Sequence, residues 1–171
     1  MSTGSKSSRL SHFNAKQQQG FEQAQQECKA IREAYPVKAE RYKQLREAYV
    51  MYAGIFEHTA ENFYPAKYFA NGMDREDTAH RLIETANKSK GVLDGLIAAM
   101  LTESQGNRRL SRNFDYYAGK HVCILNNLEN ANRAYHTRGA SLEDDSIGPM
   151  DIARLLVVST GFSIFGKARP A

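Results

Sequence analysis

Apolar residues recur along most of the chain at alternating steps of three and four positions, which is the spacing of one face of an α-helix. Within this pattern, one mostly aromatic column repeats every seven residues, as in helices that pack as coiled coils. Aromatic rather than leucine side chains in such a column favour a wide bundle over a slim two-stranded coil. The column consists of Phe21, Cys28, Tyr35, Tyr42, Tyr49, Phe56 and Phe63.

Pro36 interrupts this column without shifting its phase. Proline has no backbone N–H and disfavours helix at the residue before it. We therefore expect one helix to end near Tyr35 and a second to begin with Pro36 in its first turn. Because the phase is preserved, a single long helix kinked at Pro36 is the alternative interpretation.

Two further helices are predicted beyond residue 73. Asp74 can cap the third helix, whose apolar stripe is interrupted by Gly91 and Gly95. Glycine destabilises a helix interior, so these two positions indicate close packing against another helix. The sequence Gln105-Gly106-Asn107 predicts a tight connection to a fourth helix, which carries an apolar stripe over residues 110–135.

The predicted fold class is all-α: a bundle of four to five helices, with long heptad-patterned, coiled-coil-like helices and a short extended C-terminal segment. A length of 171 residues, 42% of them hydrophobic and 25% charged, fits one soluble globular domain. We expect a flexible polar tail over residues 1–13 and a helical bundle over 14–138. Residues 139–171 should form an acidic loop, a short helix and an apolar docking segment.

Net charge and cysteine content give only weak information about the partners and the cellular compartment of the protein. The formal net charge of +4 and the isoelectric point near 9.1 suit a nucleic acid or an anionic membrane as partner without requiring either. No apolar signal region and no transmembrane stretch are evident, so we expect a cytoplasmic protein. Cys28 and Cys123 occupy apolar positions of helical stripes, where free thiols are expected rather than a disulfide framework.

The first functional hypothesis is a non-enzymatic helical assembly or adaptor protein that acts through a protein partner or self-association. In this hypothesis the bundle is a spacer, and either the polar N-terminal tail or the apolar C-terminal segment binds the partner. The C-terminal segment has too much apolar surface to stay in water. Packing on its own bundle and contact with an anionic membrane surface are alternatives for the same segment. The candidate protein-interaction residues are Leu155, Val158, Phe162, Ile164 and Phe165.

Nucleic-acid binding is the alternative hypothesis, in which a basic patch and the basic N-terminal tail contact the nucleic acid. Arginines can contact phosphates and tyrosines can stack on bases, and Tyr116 and Tyr117 follow an arginine cluster closely. A second basic cluster is interleaved with Glu40 and Glu47, which is typical of an ordinary solvated helix face. The arginine cluster is Arg108, Arg109 and Arg112, and the second cluster is Lys38, Arg41, Lys43 and Arg46.

A metal-binding or enzymatic bundle is the second alternative. Histidines and carboxylates near the end of the second predicted helix and the start of the third would meet if those helices are antiparallel. They lie off the apolar stripes, however, and their order differs from the Glu-x-x-His pairs of dimetal bundles. We therefore expect a solvated charged face, no metal or other cofactor, and no small-molecule substrate. The residues concerned are His58, Glu61, Asp77, His80 and Glu84.

His121 is the one histidine inside an apolar stripe, which makes it a candidate for acid–base chemistry. The simpler interpretation is a histidine at the edge of the core with a hydrogen-bond partner. Cys123 lies two residues away on a different face of the helix, so the two do not form a nucleophile–base pair. The sequence carries no nucleotide-binding or zinc-protease motif, and an enzyme is not indicated.

Overall fold

The computed structural model describes residues 2–58 and 75–138, and the described side chains are those of 12–58 and 79–135. Four α-helices and no strand make up this part of the chain, so the predicted all-α class is confirmed there. A fifth helix and the extended C-terminal segment lie outside the described residues, and coiled-coil packing stays a prediction. The helices are α1 (Ser2–Ala34), α2 (Lys38–Glu57), α3 (Arg75–Ser104) and α4 (Arg108–Arg138).

Helix α3 is the central element, because it packs against each of the other three. Helices α1 and α3 run in one direction, and α2 and α4 run in the other. Consecutive helices are therefore antiparallel, whereas α1 with α3 and α2 with α4 form parallel pairs. The contacts that fix these directions are His12–Glu84 and Gln17–Asn87 for α1 with α3, Tyr42–Asn113 and Tyr49–His121 for α2 with α4, and His121–Asp94 and Asn132–Asn87 for α4 with α3.

Glycines let α1 and α3 approach almost backbone to backbone. A Cβ atom added at Gly91 would overlap the carbonyl oxygen of Gln17, and one added at Gly95 would lie 2.6 Å from the Cβ of Ala24. Gly20 on α1 is equally crowded by the backbone of α3. The close packing predicted from Gly91 and Gly95 is therefore confirmed, with α1 as the partner helix.

Pro36 separates two helices, as the main interpretation of the sequence predicted. Helix α1 ends at Ala34 and α2 begins at Lys38, with Val37 in an extended conformation as its N-cap residue. Pro36 thus precedes the cap and does not occupy the first turn of α2. Its fixed φ and missing N–H suit this irregular position as well as they suit a first turn.

The N-terminal part of α1 differs from the expected tail. The helix already begins at Ser2, so the predicted boundary at residue 13 lies inside it. Phe13 is only 2% exposed and packs against Tyr135 of α4 at 5.9 Å between ring centroids. The first turns of α1 are polar on every side, so they carry no apolar stripe from which a helix could be predicted.

A tight turn joins α3 to α4, as predicted. Gly106 has a φ of +78°, a conformation that glycine adopts without steric cost. The side-chain oxygen of Asn107 accepts a hydrogen bond of 3.1 Å from the backbone N–H of Leu110 and so caps α4. This turn places the end of α3 beside the start of α4.

The core draws buried apolar side chains from all four helices. Tyr42, Tyr49 and Phe56 of the seven-residue column are almost fully buried, and Cys28 is buried with them. Phe21 and Tyr35 of the same column are only half-buried. Among the described helices, none has a stretch both long and apolar enough to cross a membrane.

Candidate functional site

The two basic clusters meet at one end of the bundle. Arg41 forms an ion pair with Glu103, and Lys38 donates a hydrogen bond to the carbonyl oxygen of Gln105, so the start of α2 is tied to the end of α3. Since α4 begins directly after that turn, its first residues lie at the same end. We call this region the basic end, consisting of Lys38, Arg41, Lys43, Arg46, Arg108, Arg109 and Arg112.

The arginines of α4 are accessible charges of the basic end. Arg108, Arg109 and Arg112 are all exposed, and none of them forms a salt bridge within the described residues. Arg41, in contrast, is held by Glu103 and by the backbone carbonyls of Tyr35 and Pro36. Only part of the second basic cluster is therefore available to a ligand.

The neighbouring tyrosines do not form the stacking surface that the sequence suggested. Tyr117 is 5% exposed and belongs to the core, and the half-buried Tyr116 packs edge-on against it at 5.1 Å between ring centroids. Burial raises the pKa of Tyr117, while the nearby positive charge of Arg46 partly offsets this effect. Arg46 therefore lies close to the junction of α2 and α4.

A buried hydrogen-bonded network crosses the core away from the basic end. The imidazole of His121 lies between the Tyr49 hydroxyl, 2.8 Å from Nδ1, and the Asp94 carboxylate, 2.8 Å from Nε2. The other oxygen of Asp94 is 2.7 Å from the ammonium group of Lys90. His121 is thus a core histidine with hydrogen-bond partners, as the simpler interpretation of the sequence held.

This network is poorly suited to nucleophilic catalysis. Burial, together with the negative charges of Asp94 and Glu57, raises the pKa of Tyr49 far above its ordinary value, so the phenol stays protonated. Burial alone would raise the pKa of Asp94, but hydrogen bonds from His121 and Lys90 outweigh it and lower that pKa. Both imidazole nitrogens of His121 are occupied by side chains of the protein, which indicates a structural role.

A second buried polar contact joins α2 to α4. The ammonium group of Lys120 is fully buried and forms an ion pair with Glu57, which is 8% exposed. Lys120 lies three residues after Tyr117 and four before Ile124, so its place inside the apolar stripe could have been noticed in the sequence. Glu57 gives no comparable signal.

Two of the five residues considered for a metal site do come together, but with a different partner. His80 and Glu84 on α3 are joined by His12 of α1, and their ligand atoms all lie within 4.8 Å of one another. His12 was not predicted as a ligand, because it lies in residues 1–13, which we expected to form a flexible tail. Glu61, Asp77 and the proposed protein-interaction residues of the C-terminal segment lie outside the described side chains, so the adaptor hypothesis stays a prediction.

The sequence and fold were also compared with known proteins. No protein-family model, no curated protein and no solved structure matches this chain.

Proposed function

We propose that this chain is a nucleic-acid-binding helical protein rather than an enzyme, and that the basic end is its binding surface. The observation that carries the proposal is the exposure of Arg108, Arg109 and Arg112 without a salt bridge in the described part of the chain. Three guanidinium groups on adjacent turns of one helix form a local positive field that phosphate groups can neutralise.

The position of these arginines on α4 supports a role in binding. The N-terminal end of a helix carries a partial positive charge, so a cation there is unfavourable by up to about 1 kcal/mol. Helix α4 has no acidic residue in its first turn and two arginines, Arg108 and Arg109, instead. This arrangement opposes helix stability, whereas an anionic ligand would be attracted by both the arginines and the helix terminus.

The surroundings of the cluster define the mode of binding. Because Tyr117 is buried and Tyr116 is packed against it, the surface offers charge but no exposed aromatic platform for bases. We expect contacts to phosphates, with little preference for base sequence and a steep dependence on salt. Lys43 is exposed and Arg46 lies near the junction of α2 and α4, so both extend the surface toward α2.

Fluorescence anisotropy with a labelled duplex DNA and a single-stranded RNA of equal length tests this proposal. Neutralising about three phosphates predicts a slope near −2.7 for the logarithm of duplex affinity against the logarithm of salt concentration. The variant R108Q/R109Q/R112Q should remove most of this slope. A matched control is R81Q/K88Q/R133Q, which also removes three positive charges from exposed positions but leaves the basic end intact.

The control decides between a local site and general charge attraction. If the two triple variants weaken binding equally, net charge alone accounts for binding and the basic end is not the site. If the unaltered protein binds neither nucleic acid at low salt, the proposed function is wrong.

A further inference from the structure

Three potential metal ligands converge where the first half of α1 lies against the start of α3. The Nε2 atom of His12 is 2.6 Å from the Oε2 atom of Glu84, and the Nε2 atom of His80 is 3.3 Å from the same oxygen. His80 and Glu84 are four residues apart on α3, so both side chains leave the same face of that helix. The two imidazole rings are stacked at 5.3 Å between their centroids.

The helices that carry these ligands are held in a fixed register. The glycine contacts between α1 and α3 leave no space for sliding, because backbone atoms already touch at Gly20 and Gly91. His12 lies two turns before this contact on α1, so the contact sets its position against α3. The side-chain amide of Gln17 also donates a hydrogen bond of 2.7 Å to Asn87, between the cluster and the glycines.

The other contacts of His80 and Glu84 leave Nε2 of the histidine and Oε2 of the glutamate available to a metal ion. The hydroxyl of Tyr135 is 3.1 Å from Nδ1 of His80, which directs Nε2 toward Glu84. Histidines that bind metals commonly have such a partner on their other nitrogen. The Nζ atom of Lys16 lies 3.7 Å from Oε1 of Glu84. The other carboxylate oxygen, Oε2, faces both imidazoles.

The charge state of Glu84 suits a ligand. Its carboxylate faces the ammonium group of Lys16, 3.7 Å from Oε1, and the imidazole of His12, 2.6 Å from Oε2. A cationic group and a hydrogen-bond donor beside a carboxylate favour its ionised form. Metal ions require such deprotonated ligands.

We propose that His12, His80 and Glu84 form a binding site for one divalent metal ion, either Zn²⁺ or a neighbouring transition-metal ion such as Co²⁺. A tetrahedral site with metal–ligand bonds of 2.0 to 2.1 Å separates its ligand atoms by about 3.3 Å. The distance between His80 and Glu84 already has this value, and the His12–Glu84 pair needs to open by less than 1 Å. Three protein ligands leave the fourth position to a water molecule.

Access and ligand chemistry narrow the choice of ion. The side chains of His12, His80 and Glu84 are 41%, 37% and 31% exposed, so an ion reaches them without unfolding. Glu84 and Lys16 also border a surface cavity of about 360 Å³ between the helices. Two imidazoles and a single carboxylate favour zinc and its transition-metal neighbours over magnesium and calcium, which prefer sets of oxygen ligands.

Titration calorimetry with Zn²⁺ on untagged protein treated with a chelator tests the site, with Mg²⁺ as the comparison ion. We expect one Zn²⁺ per chain, heat only for Zn²⁺, and a rise in melting temperature on binding. Co²⁺ should bind at the same stoichiometry and give the visible absorption of a tetrahedral site.

Substitutions of the three proposed ligands test where the metal ion binds. H12Q and H80Q should each weaken Zn²⁺ binding by at least about tenfold, and E84Q should do the same while it keeps a hydrogen-bonding side chain in place. H58Q is the matched control, because His58 is an exposed histidine outside the cluster. Folding of each variant is checked by its helical circular dichroism without metal. No stoichiometric Zn²⁺ binding by the unaltered protein, or binding that survives E84Q and H12Q together, overturns the proposal.

Discussion

The two parallel helix pairs of the bundle differ in the contacts that hold them closest together. Helices α1 and α3 touch through glycines, so that backbone lies directly against backbone. Helices α2 and α4 touch through long side chains, and several of the atoms that meet are polar, as in the hydrogen bond of 2.6 Å from the Tyr42 hydroxyl to Asn113. The first pair is sensitive to added volume, whereas the second is sensitive to the loss of a partner.

This difference follows from what each contact removes from water. The glycine contact buries little polar surface beyond backbone groups that are already bonded within their helices, and its specificity is steric. The contact between α2 and α4 buries a charged pair, Lys120 with Glu57, and the imidazole of His121. Such groups are tolerated in a core only when each one has its partner, so they discriminate strongly against a wrong helix pairing.

The largest expected effect comes from breaking the buried ion pair. Lys120→Met keeps the length of the side chain but leaves the Glu57 carboxylate buried without its cation. We expect the free energy of unfolding to fall by about 3 to 5 kcal/mol. Urea denaturation at neutral pH measures the change.

Two comparisons sharpen that result. The double variant K120M/E57L should recover most of the loss, since an apolar pair of similar volume removes the uncompensated charge. Arg133→Gln breaks the exposed pair with Glu129, whose side chains are 67% and 68% exposed, and should cost no more than about 0.5 kcal/mol. Equal losses for K120M and R133Q would contradict the role given to the buried pair.

The glycine contact is tested by a single added methyl group. In Gly91→Ala the new Cβ meets the carbonyl oxygen of Gln17, which belongs to the backbone and cannot rotate away. The helices must separate, and we expect a loss of about 3 kcal/mol. Gly119→Ala on α4 is the matched control, because nothing lies within 4 Å of its added Cβ.

The control should change stability in the opposite direction. Alanine favours a helix interior over glycine by about 0.5 to 1 kcal/mol, so Gly119→Ala should raise the melting temperature while Gly91→Ala lowers it. Both variants gain the same helix propensity, and their difference therefore isolates the contact between α1 and α3. A Gly91→Ala protein as stable as Gly119→Ala would show that the two helices are not in close contact.

Much of this architecture could be predicted from local patterns. Helical periodicity identified the helices on both sides of Pro36, except for the first turns of α1. Gly91 and Gly95 indicated a close contact because glycine is otherwise unfavourable inside a helix. The identity of the partner helix could not be predicted in this way. Pairing depends on residues far apart in sequence, and Gly20 on α1 carries no signal that links it to α3.

The candidate sites, too, could be predicted only where their residues are close together in sequence. The arginines of the basic end were found because they are adjacent in sequence. The sequence pattern grouped His80 and Glu84 with His58. In the structure they lie beside His12 of α1 instead. A histidine in a polar stretch has no pattern that separates a ligand from a solvated side chain, so only the packing of α1 on α3 could reveal it.

Apart from the control substitutions, the smallest expected effect concerns Asp94, where the buried network reaches the surface. Its folded-state pKa is lowered by His121 and Lys90 against the opposing effect of burial, so the carboxylate stabilises the fold above its unfolded pKa near 4. That contribution is lost as pH falls through the lower folded-state pKa. Because the Asp94 side chain is 30% exposed, we expect Asp94→Asn to cost only about 1 kcal/mol at neutral pH. The stability difference between the unaltered protein and Asp94→Asn, followed by urea denaturation from pH 6 downward, should shrink below pH 4 as the carboxyl group takes up its proton. A difference that stays constant over this range would mean that the charge of Asp94 contributes nothing to the junction of α3 with α4.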